Sequence, residues 1–509
     1  MAATDGVEIE RKFTVDDETE LPALDELPAV GTIGKAVQFD LDAVYFDTED
    51  FALASHRLTL RRRTGGEDAG WHLKTPLGPD ARQEFREPLG TDAAAIPRRL
   101  LGLLHVHTRG RELVPVVHLQ TRRIMHLLHD THGKVLAEVC DDHVRADRLF
   151  PDPISQQWRE WEIELVDGDR SLLDDVQSML ESAGITLAPH GSKLARALGD
   201  IYPAEHSRVS APNRNSSAAQ ILLAYLDAQV HTLWEQDARM RQDEPDSVHQ
   251  LRIAARRLRS ALTTYRSLLD VDAAGRLGGE LKWLGGALGA ARDLQVLGER
   301  LTAVIAAQPP ELVVGPVSRR ISEQIEQQFE AARHAALAAL DEERYFRLLD
   351  SLDSFLAALA IAEPTSESRH RAVVLLIRTE GKRLRTLLRV SRKADAGTSR
   401  GLALHDVRKS AKRLRYAVEA AAPVMHKPML RLTVAAGELQ SILGDHQDSV
   451  VARGWLLRWA AEAHVRGESG FTYGRLHAIE QSRAETSEAQ FLRAWKRFPA
   501  RLLRKRSTR

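Results

Sequence analysis

Residues 7–13 read VEIERKF. If this stretch is a β-strand, Glu8, Glu10 and Lys12 share one face, because side chains alternate along a strand. The opposite face carries the apolar residues Val7, Ile9 and Phe13. Two carboxylates and an ammonium on a face that is usually buried or half-buried indicate a site for a hard cation and an anion. What the site is depends on which other strands bring charge to the same face.

The first 200 residues read as mainly β-structure, with charged side chains at every second position of several strands. Clusters such as TGGEDAG and LGPD separate the candidate strands, as turn residues do. The alternating charges are Arg61 and Arg63 in LTLRRR, Lys74 in WHLKTP, Arg82, Glu84 and Arg86 in RQEFRE, and Glu162 and Glu164 in WEIELV. A solvated sheet face would explain any single strand, but the set favours a closed barrel with a charged interior. Its carboxylates would suit Mg²⁺, and its Arg and Lys side chains would suit phosphate.

The chain changes character near residue 200. Residues 201–217 read IYPAEHSRVSAPNRNSS, which is rich in Pro, Ser and Asn and is typical of a linker. Beyond it lie about ten helical stretches rich in Ala, Leu and Arg. Residues 1–200 hold 23 Lys and Arg against 36 Asp and Glu, which leaves 48 against 35 in residues 201–509. An acidic part and a basic part predict two domains, and the basic one indicates a polyanionic partner.

An internal repeat marks the helical part. VHQLRIAARRLRSAL begins at Val248 and LHDVRKSAKRLRYAV begins at Leu404, an offset of 156 residues. Each copy has one His and three basic residues that lie along one stripe of a helix. These residues are His249, Arg252, Arg256 and Arg259 in the first copy, and His405, Arg408, Lys412 and Arg415 in the second. Because like charges at this spacing repel, their presence in both copies predicts that an anion binds along the stripe.

Composition limits the class of protein. The 509 residues are 43% hydrophobic, which is typical of globular domains, and the chain is too long for one ordinary domain. Cys140 is the only cysteine, so no intramolecular disulfide can form and a reducing compartment is expected. The sequence shows no signal-like apolar run at its N-terminus and no apolar run long enough for a membrane span. We therefore expect a cytoplasmic protein, and the oligomeric state is left open.

The order of motifs in the first part resembles the CYTH domain of the triphosphate tunnel metalloenzymes. The motif E-x-E-x-K at residues 8–12 is followed by YFDTEDFALASHRLTLRRR, GWHLKTP, RQEFRE, WEIEL and HGSKLARAL. The resemblance covers residues 5–202. It implies an eight-stranded antiparallel tunnel with flanking helices, which hydrolyses triphosphates with the help of Mg²⁺ or Mn²⁺.

The same resemblance implies roles for individual side chains of the tunnel. The metal ligands would be Glu8, Glu10, Glu138, Asp141, Glu162 and Glu164. The phosphate contacts would be Lys12, Arg61, Arg63, Lys74, Arg82, Arg123 and Lys193. The catalytic group would comprise Glu8, Glu10, Lys12, Lys74, Glu162 and Glu164.

The repeat resembles the CHAD domain, an α-helical domain of paired helical bundles. That resemblance implies recognition of inorganic polyphosphate by the His and basic residues of both copies. We therefore predict an α+β multidomain chain. A β tunnel domain would occupy residues 5–202, a linker residues 203–217, and an all-α helical-bundle domain with an internal repeat residues 218–505.

Together, the two resemblances imply a Mg²⁺-dependent triphosphatase joined to a polyphosphate-binding domain, with an association with polyphosphate granules as a further expectation. One alternative is a protein that only grips phosphate chains, which four inward carboxylates disfavour. Another is a tunnel enzyme acting on a nucleoside or thiamine triphosphate, including ATP cyclisation, but the sequence identifies no nucleoside pocket. A nucleic-acid partner is disfavoured, because the basic ladder lacks interleaved aromatic side chains for base stacking.

Overall fold

The computed structural model describes residues 5–78, 80–92, 95–205, 209–213, 216–361, 369–395, 397–425 and 427–503. The chain forms two compact units, residues 1–207 and 208–509; the first is built on β-strands and the second on α-helices. The predicted α+β architecture is therefore confirmed. The domain limits stay predictions: residues 206–208 and 214–215 of the predicted linker, and residues 504–505 of the predicted second domain, lie outside the described residues.

The elements of the first unit are ten strands and four α-helices in its described part. The strands are β1 (Gly6–Val15), β2 (Thr32–Ile33), β3 (Val37–Asp47), β4 (Thr59–Thr64), β5 (Gly70–Pro76), β6 (Ala81–Glu87), β7 (Val114–His129), β8 (Val135–Arg148), β9 (Ile154–Leu165) and β10 (Thr186–Leu187). The helices are α1 (Ala52–Ser55), α2 (Arg98–Thr108), α3 (Arg170–Ser182) and α4 (Lys193–Leu198).

Eight of these strands close into an antiparallel barrel. Their order is β1-β6-β5-β4-β3-β7-β8-β9, and β9 pairs again with β1. The two short strands lie outside this ring, with β2 paired to β7 and β10 paired to β1. This closed ring confirms the predicted eight-stranded tunnel.

The apolar faces of β1 and β9 point outward and pack in one core with α3. Phe13, Trp161 and Ile163 are fully buried there against Leu172 and Val176 of α3. Burying each such side chain stabilises the fold by about 1.5–3 kcal/mol. A slip of one residue would turn every side chain of a strand to the other face, so this packing holds the charged faces of the same strands inside the barrel. The predicted faces of VEIERKF are confirmed.

Helix α4 packs at one end of the barrel. The Ser192 hydroxyl caps it by accepting a hydrogen bond from the Ala195 backbone N–H at 3.1 Å. Its apolar residues form one core with side chains of β3, β7 and β8; the members include Leu194, Ala197, Leu198, Tyr45, Leu119 and Val144. Because α4 begins at Lys193, this packing aims the Lys193 ammonium at the charged interior.

The second unit contains ten α-helices among its described residues. They are α5 (Ala218–Arg241), α6 (Ser247–Thr264), α7 (Val271–Ala287), α8 (Gly289–Ala306), α9 (Val317–Leu340), α10 (Glu343–Ile361), α11 (Arg369–Lys393), α12 (Thr398–Ala420), α13 (Lys427–Val465) and α14 (Phe471–Arg497). No helix in the described part of the chain has the length and apolar character needed to cross a membrane.

The two repeat copies form α6 and α12, which pack against each other. Helix α5 packs on α6, and α11 packs on α12, so each repeat presents the same pair of helices. The apolar stripes of the two copies are buried: Leu251, Ala255, Leu258 and Leu262 in α6, and Val407, Ala411, Leu414 and Val418 in α12. Burial of these stripes leaves the His and basic stripes on the less buried side of both helices.

Candidate functional site

A cavity of about 440 Å³ lies inside the barrel, and most of its lining is charged. Strands β1 and β3–β9 and helix α4 all contribute side chains to it. The predicted residues that line it are Glu8, Glu10, Lys12, Arg61, Arg63, Lys74, Arg82, Arg123, Glu138, Glu162, Glu164 and Lys193. The structure thus brings together every tunnel residue predicted above except Asp141.

Three glutamates on neighbouring strands form what we call the acidic row: Glu10, Glu164 and Glu138. Glu10 of β1 lies opposite Glu164 of β9, and Glu164 lies opposite Glu138 of β8. Like charges directly opposite each other destabilise a sheet. Burial, and then Glu8, raises the pKa of Glu164 to about 7. Among the described residues, the carboxylates of Glu138 and Glu164 have neither an ion pair nor a hydrogen bond, so a divalent cation with oxygen ligands would suit this row.

A second group of carboxylates, the acidic triad, consists of Asp142, Glu160 and Glu162. Their ligand oxygens lie within 4.8 Å of one another, a spacing that could hold a metal ion. The Lys193 Nζ, however, lies 2.8 Å from an oxygen of Asp142, 2.8 Å from one of Glu160 and 2.6 Å from one of Glu162. Burial alone would lower the pKa of Lys193, but Asp142 and Glu160 hold it well above its ordinary value. The ammonium therefore already neutralises much of the triad.

Lys12 and Arg123 connect the acidic row with the acidic triad. The Lys12 Nζ lies 2.8 Å from Glu10 Oε2 and also contacts Glu162. Arg123 donates two hydrogen bonds to Asp142, at 2.7 and 2.6 Å, and one to Glu162 at 2.6 Å. Burial alone would raise the pKa of Glu162, but Lys12, Lys193 and Arg123 hold it well below its ordinary value. Glu162 is therefore ionised and engaged by three cations.

Cations of β4, β5 and β6 form what we call the basic wall: Arg61, Arg63, Lys74, Arg82 and Arg86. Arg61 donates to the Tyr45 hydroxyl at 3.3 Å. The pKa of Arg63 is lowered to about 9, first by burial and then by the positive charges of Arg61 and Arg123. Arg63 contacts the Asp68 carboxylate at the cavity lining. A buried guanidinium crowded by two others would gain from a further anion, and guanidinium groups match phosphate oxygens geometrically.

Part of the basic wall is neutralised within the protein. Glu84 accepts a hydrogen bond from His72 Nδ1 at 2.8 Å and contacts Arg86, while Lys74 contacts Glu8. Burial lowers the pKa of His72 to about 3, so this imidazole is neutral. Because the Glu84 carboxylate lies among Arg86, Lys74 and a neutral His, it holds the wall in place while leaving a net positive charge.

Asp141 is the predicted tunnel residue that the structure places elsewhere. Its carboxylate accepts hydrogen bonds from Arg159 at 2.8 and 2.9 Å, away from the cavity lining. Ala137 and Val139, on the same face of β8, lie in the outer core with α3. The assignment of Asp141 to the tunnel was wrong because Glu138 and Asp141 differ by three positions and so face opposite sides of one strand. Asp142 takes the interior position.

The interior side chains that were not predicted include Asp142, Glu160 and Tyr45. The alternation that gave Glu162 and Glu164 continues back to Glu160, and the alternation from Glu138 reaches Asp142, so both carboxylates had a signal in the sequence. Tyr45 had none, because its strand alternates apolar residues on this face. Its role becomes visible only where Arg61, on the neighbouring strand, reaches its hydroxyl.

In the helical unit, four ladder residues form what we call the basic cradle: Arg252 and Arg256 of α6, and Arg408 and Lys412 of α12. Arg252 pairs with Asp293 at 2.7 Å, and Arg256 donates to the Tyr416 hydroxyl at 3.1 Å. The pKa of Lys412 is lowered to about 7, first by burial and then by the nearby cations Arg408, Arg256 and Arg252. Among the described residues Lys412 has neither a hydrogen bond nor an ion pair, so the cradle carries unneutralised positive charge.

The other four ladder residues lie around this cradle. The pKa of His249 is lowered by burial and then by the positive charge of Arg292. The charges of Arg256 and Arg252 lower it further. His405 Nδ1 lies 3.0 Å from Gln447 Oε1. Two residues are less involved, since Arg259 is exposed and Arg415 donates to Glu419 at 2.6 Å.

The barrel with its charged cavity and the repeated helical unit define a class of protein, a tunnel domain joined to a repeated basic helical domain. The CYTH domain model matches residues 6–198, and the CHAD domain model matches residues 224–457. Two proteins of Mycobacterium tuberculosis, uncharacterized proteins MT2285 and Rv2226, are each 38% identical over 500 residues, covering 95% of this chain and 94% of theirs. The chain belongs to the family in which a CYTH domain is followed by a CHAD domain. CYTH domains are typically metal-dependent enzymes that act on triphosphates.

Two solved structures are similar to parts of the chain. PptA from Streptomyces chartreusis is 22% identical, with a TM-score of 0.46, over 55% of this chain and 100% of its own. The CHAD domain from the plant Ricinus communis is 22% identical, with a TM-score of 0.44, over 60% of this chain and 99% of its own. At these values neither similarity bears on the function of this chain.

Proposed function

We propose that the CYTH barrel hydrolyses inorganic triphosphate or a related triphosphate with the help of a divalent metal, and that the CHAD domain binds inorganic polyphosphate. The observation that carries this proposal is the division of one cavity by charge. The acidic row lies on β8, β9 and β1, and the basic wall lies on the adjoining β6, β5 and β4. Such a lining offers ligands for a cation and for a phosphate chain in the same space.

The acidic row fits Mg²⁺ or Mn²⁺, since both prefer carboxylate oxygens. Glu10, Glu138 and Glu164 would hold the ion, with Glu8 beside them. Glu162 is less suited than predicted, because Lys12, Lys193 and Arg123 already engage it. When bound, the ion would neutralise phosphate charge and make a water molecule a better nucleophile.

The side chains of the chain itself would bind and orient the substrate. Arg61 and Arg63 would hold phosphate oxygens through their forked donors, and Lys74 would act as a point charge. The Glu8 and Glu84 carboxylates fix Lys74 and Arg86 before substrate arrives. Donors that are held in place stabilise developing charge without reorganising during the reaction, and a fixed phosphate chain can be aligned with an attacking water.

The basic cradle supports the polyphosphate part of the proposal. It collects four cations from two helices that pack together. The pKa of Lys412 is lowered first by burial and then by the repulsion of its three cationic neighbours. A phosphate chain would relieve this repulsion at several points at once. Binding of this kind would also place the protein on polyphosphate granules.

A second candidate substrate class is an organic triphosphate, such as a nucleoside or thiamine triphosphate. The observation in its favour is an apolar part of the cavity lining, made by Phe39, Leu41 and Met125. An aromatic or heterocyclic group could pack there while its phosphates meet the basic wall. Cyclisation of ATP would need the same patch.

A phosphate-release screen tests the enzymatic part. The full chain would be given inorganic triphosphate, longer polyphosphates, thiamine triphosphate and ATP, each with Mg²⁺, with Mn²⁺ and with a chelator. We expect metal-dependent orthophosphate release, fastest with inorganic triphosphate. Faster turnover of an organic triphosphate would favour the second candidate, and tight binding without release from any substrate would leave a pure phosphate-chain binder.

Binding of long-chain polyphosphate tests the other part. Its affinity for the full chain should fall steeply as salt increases, by extension from nucleic-acid phosphates. At fixed salt, polyphosphate should displace DNA and RNA. If DNA or RNA instead displaced polyphosphate, the CHAD part of the proposal would be wrong.

A further inference from the structure

Helix α11 carries a second line of positive charge that the basic cradle does not include. We call it the α11 stripe, and it consists of Arg378, Lys382, Arg385, Arg389 and Arg392. Their spacings of four and three residues place all five on one side of the helix. Each is exposed or half-exposed. From Arg378 to Arg392 the stripe is about 21 Å long, at a rise of about 1.5 Å per residue.

The charges of the α11 stripe are not neutralised in the described part of the chain. None of the five forms an ion pair there, and Arg389 donates only to the Arg385 carbonyl at 3.5 Å and to Thr386 Oγ1 at 3.4 Å. The acidic residue of this helix, Glu380, is buried on another side, 4.0 Å from Arg413 of α12. Like charges three and four residues apart repel and weaken a helix. The stability of α11 therefore does not explain why these five cations are present.

The repeat itself does not require the stripe. Helix α5 packs on α6 as α11 packs on α12. When α5 and α11 are aligned by their last residues, the five stripe positions fall on buried, non-basic side chains of α5: Leu226, Val230, Leu233, Asp237 and Met240. The same helix position is therefore part of the core in one repeat and an exposed row of cations in the other.

Positive charge also links α11 with α12 and α6, through Arg383 beside the stripe and Arg413 beside the α12 ladder. Arg413 of α12 has Arg383 of α11 and Arg259 of α6 as charged neighbours, and both, after burial, lower its pKa. Positive charge thus continues from α6 across α12 to α11. A short anion could occupy only part of this surface, whereas a long chain could follow it.

We infer that the α11 stripe is a second contact surface for a linear phosphate polyanion, so that a long polyphosphate chain binds the basic cradle and α11 together. The inference rests on the proposed binding of polyphosphate by the CHAD domain. Residues 369–393 contain no aromatic side chain, which disfavours single-stranded nucleic acid because bases need a stacking surface. Among the α11 side chains that the structure describes, Leu375 and Val390 are the exposed large apolar ones, too few for the apolar face of a membrane-surface helix.

The test compares two double variants of the full chain. Lys382→Gln/Arg389→Gln removes two exposed cations of the stripe. Arg319→Gln/Arg347→Gln removes two exposed cations of α9 and α10 that pair within their own helices, and so it controls for net charge. Affinity for long-chain inorganic polyphosphate and for triphosphate would be measured at several salt concentrations, with thermal unfolding as a check on the fold.

We expect the stripe variant to bind long-chain polyphosphate about tenfold or more weakly at low salt. The slope of log affinity against log salt should also become shallower by about 1.4. This value assumes two lost phosphate contacts and a slope of about 0.7 per contact, as found for single-stranded nucleic acids. Triphosphate binding, the control variant and the charge-preserving Lys382→Arg/Arg389→Lys should remain unchanged. An unchanged affinity of the stripe variant for long chains, while wild type binds them, would overturn this inference alone.

Two further outcomes separate this inference from the proposed function. If wild type bound no polyphosphate at low salt, the proposed function of the CHAD domain would fail together with the inference. If the stripe variant lost affinity for duplex DNA but kept its affinity for polyphosphate, the α11 stripe would be a nucleic-acid-binding surface, and the inference would be overturned.

Discussion

Glu164 lies half-buried between Glu10 and Glu138 on neighbouring strands, and its pKa is raised to about 7 by burial and by these carboxylates and Glu8. An ordinary Glu titrates near 4.5. The fold therefore favours its protonated form. That contribution to stability is fully present below pH 4.5 and is lost as the pH rises through about 7. Above this pH the ionised carboxylate weakens the metal-free fold and becomes a better metal ligand.

We expect Mg²⁺ or Mn²⁺ to raise the melting temperature more at pH 8 than at pH 6, because metal binding requires the ionised acidic row. In Glu164→Gln this metal response should largely disappear, and the metal-free protein should be at least as stable as wild type at pH 8. Thermal unfolding with and without metal measures both effects. Glu181→Gln, at an exposed position of α3, is the matched control. An equal metal response in wild type and Glu164→Gln would contradict the assignment of the ion to the acidic row.

Lys412 makes the basic cradle sensitive to pH. With its pKa near 7 in the free protein, it is mostly neutral at pH 8, and a bound phosphate chain would draw a proton onto it. Affinity for polyphosphate should therefore fall by up to about tenfold per pH unit above pH 7. Calorimetry in buffers of different ionisation enthalpy should show proton uptake at pH 8.

Lys412→Arg should remove this proton uptake while keeping the affinity, because Arg stays charged. Lys409→Arg is the matched control, since Lys409 lies exposed on the same helix and pairs with Asp406. Proton uptake that persisted in Lys412→Arg would assign the effect to another group, such as His249 or His405.

At the scale of the element, β8 shows which part of the site the sequence could supply. The resemblance pointed to Glu138, which lines the cavity. Strict alternation from Glu138 selects Asp142 rather than Asp141 for the same face. The register of β8 against β7 and β9 then sets Asp142 opposite Arg123 and Glu160. Alternation can be read from a single strand, but these partners cannot, because they depend on how distant strands pair.

A matched pair of substitutions tests this element. Asp142→Asn should destabilise the protein by about 3 kcal/mol, since it breaks a fully buried network with Arg123 and Lys193. Asp141→Asn, one residue away on the outer face, should cost less, about 1–2 kcal/mol, because Asn can still accept a hydrogen bond from Arg159, and it should leave the activity intact. Calorimetric unfolding and phosphate release measure the two. Equal losses in both variants would contradict the assigned faces of β8.

Helix α4 shows what strand patterns alone do not predict. The motif HGSKLARAL marked Lys193, but not its place among three carboxylates. That place follows from the packing of Leu194, Ala197 and Leu198 at the barrel end.

At the scale of the whole molecule, the change from an acidic to a basic composition near residue 200 correctly predicted two units with different folds. The order of motifs correctly predicted the barrel and the repeated helices. The sequence could not distinguish Arg256, which joins the cradle, from the exposed Arg259 of the same stripe. Such differences arise because neighbouring helices cover some members of a stripe and leave others in solvent.

The central claim is that the barrel is a metal-dependent triphosphatase. The most direct measurement is the initial rate of orthophosphate release from inorganic triphosphate by the full chain, with Mg²⁺ or Mn²⁺ and with a chelator. The rate should require metal, fall about 100-fold or more in Glu10→Gln, and stay near wild type in Asp141→Asn. A folded Glu10→Gln protein that released phosphate at the wild-type rate would contradict the account.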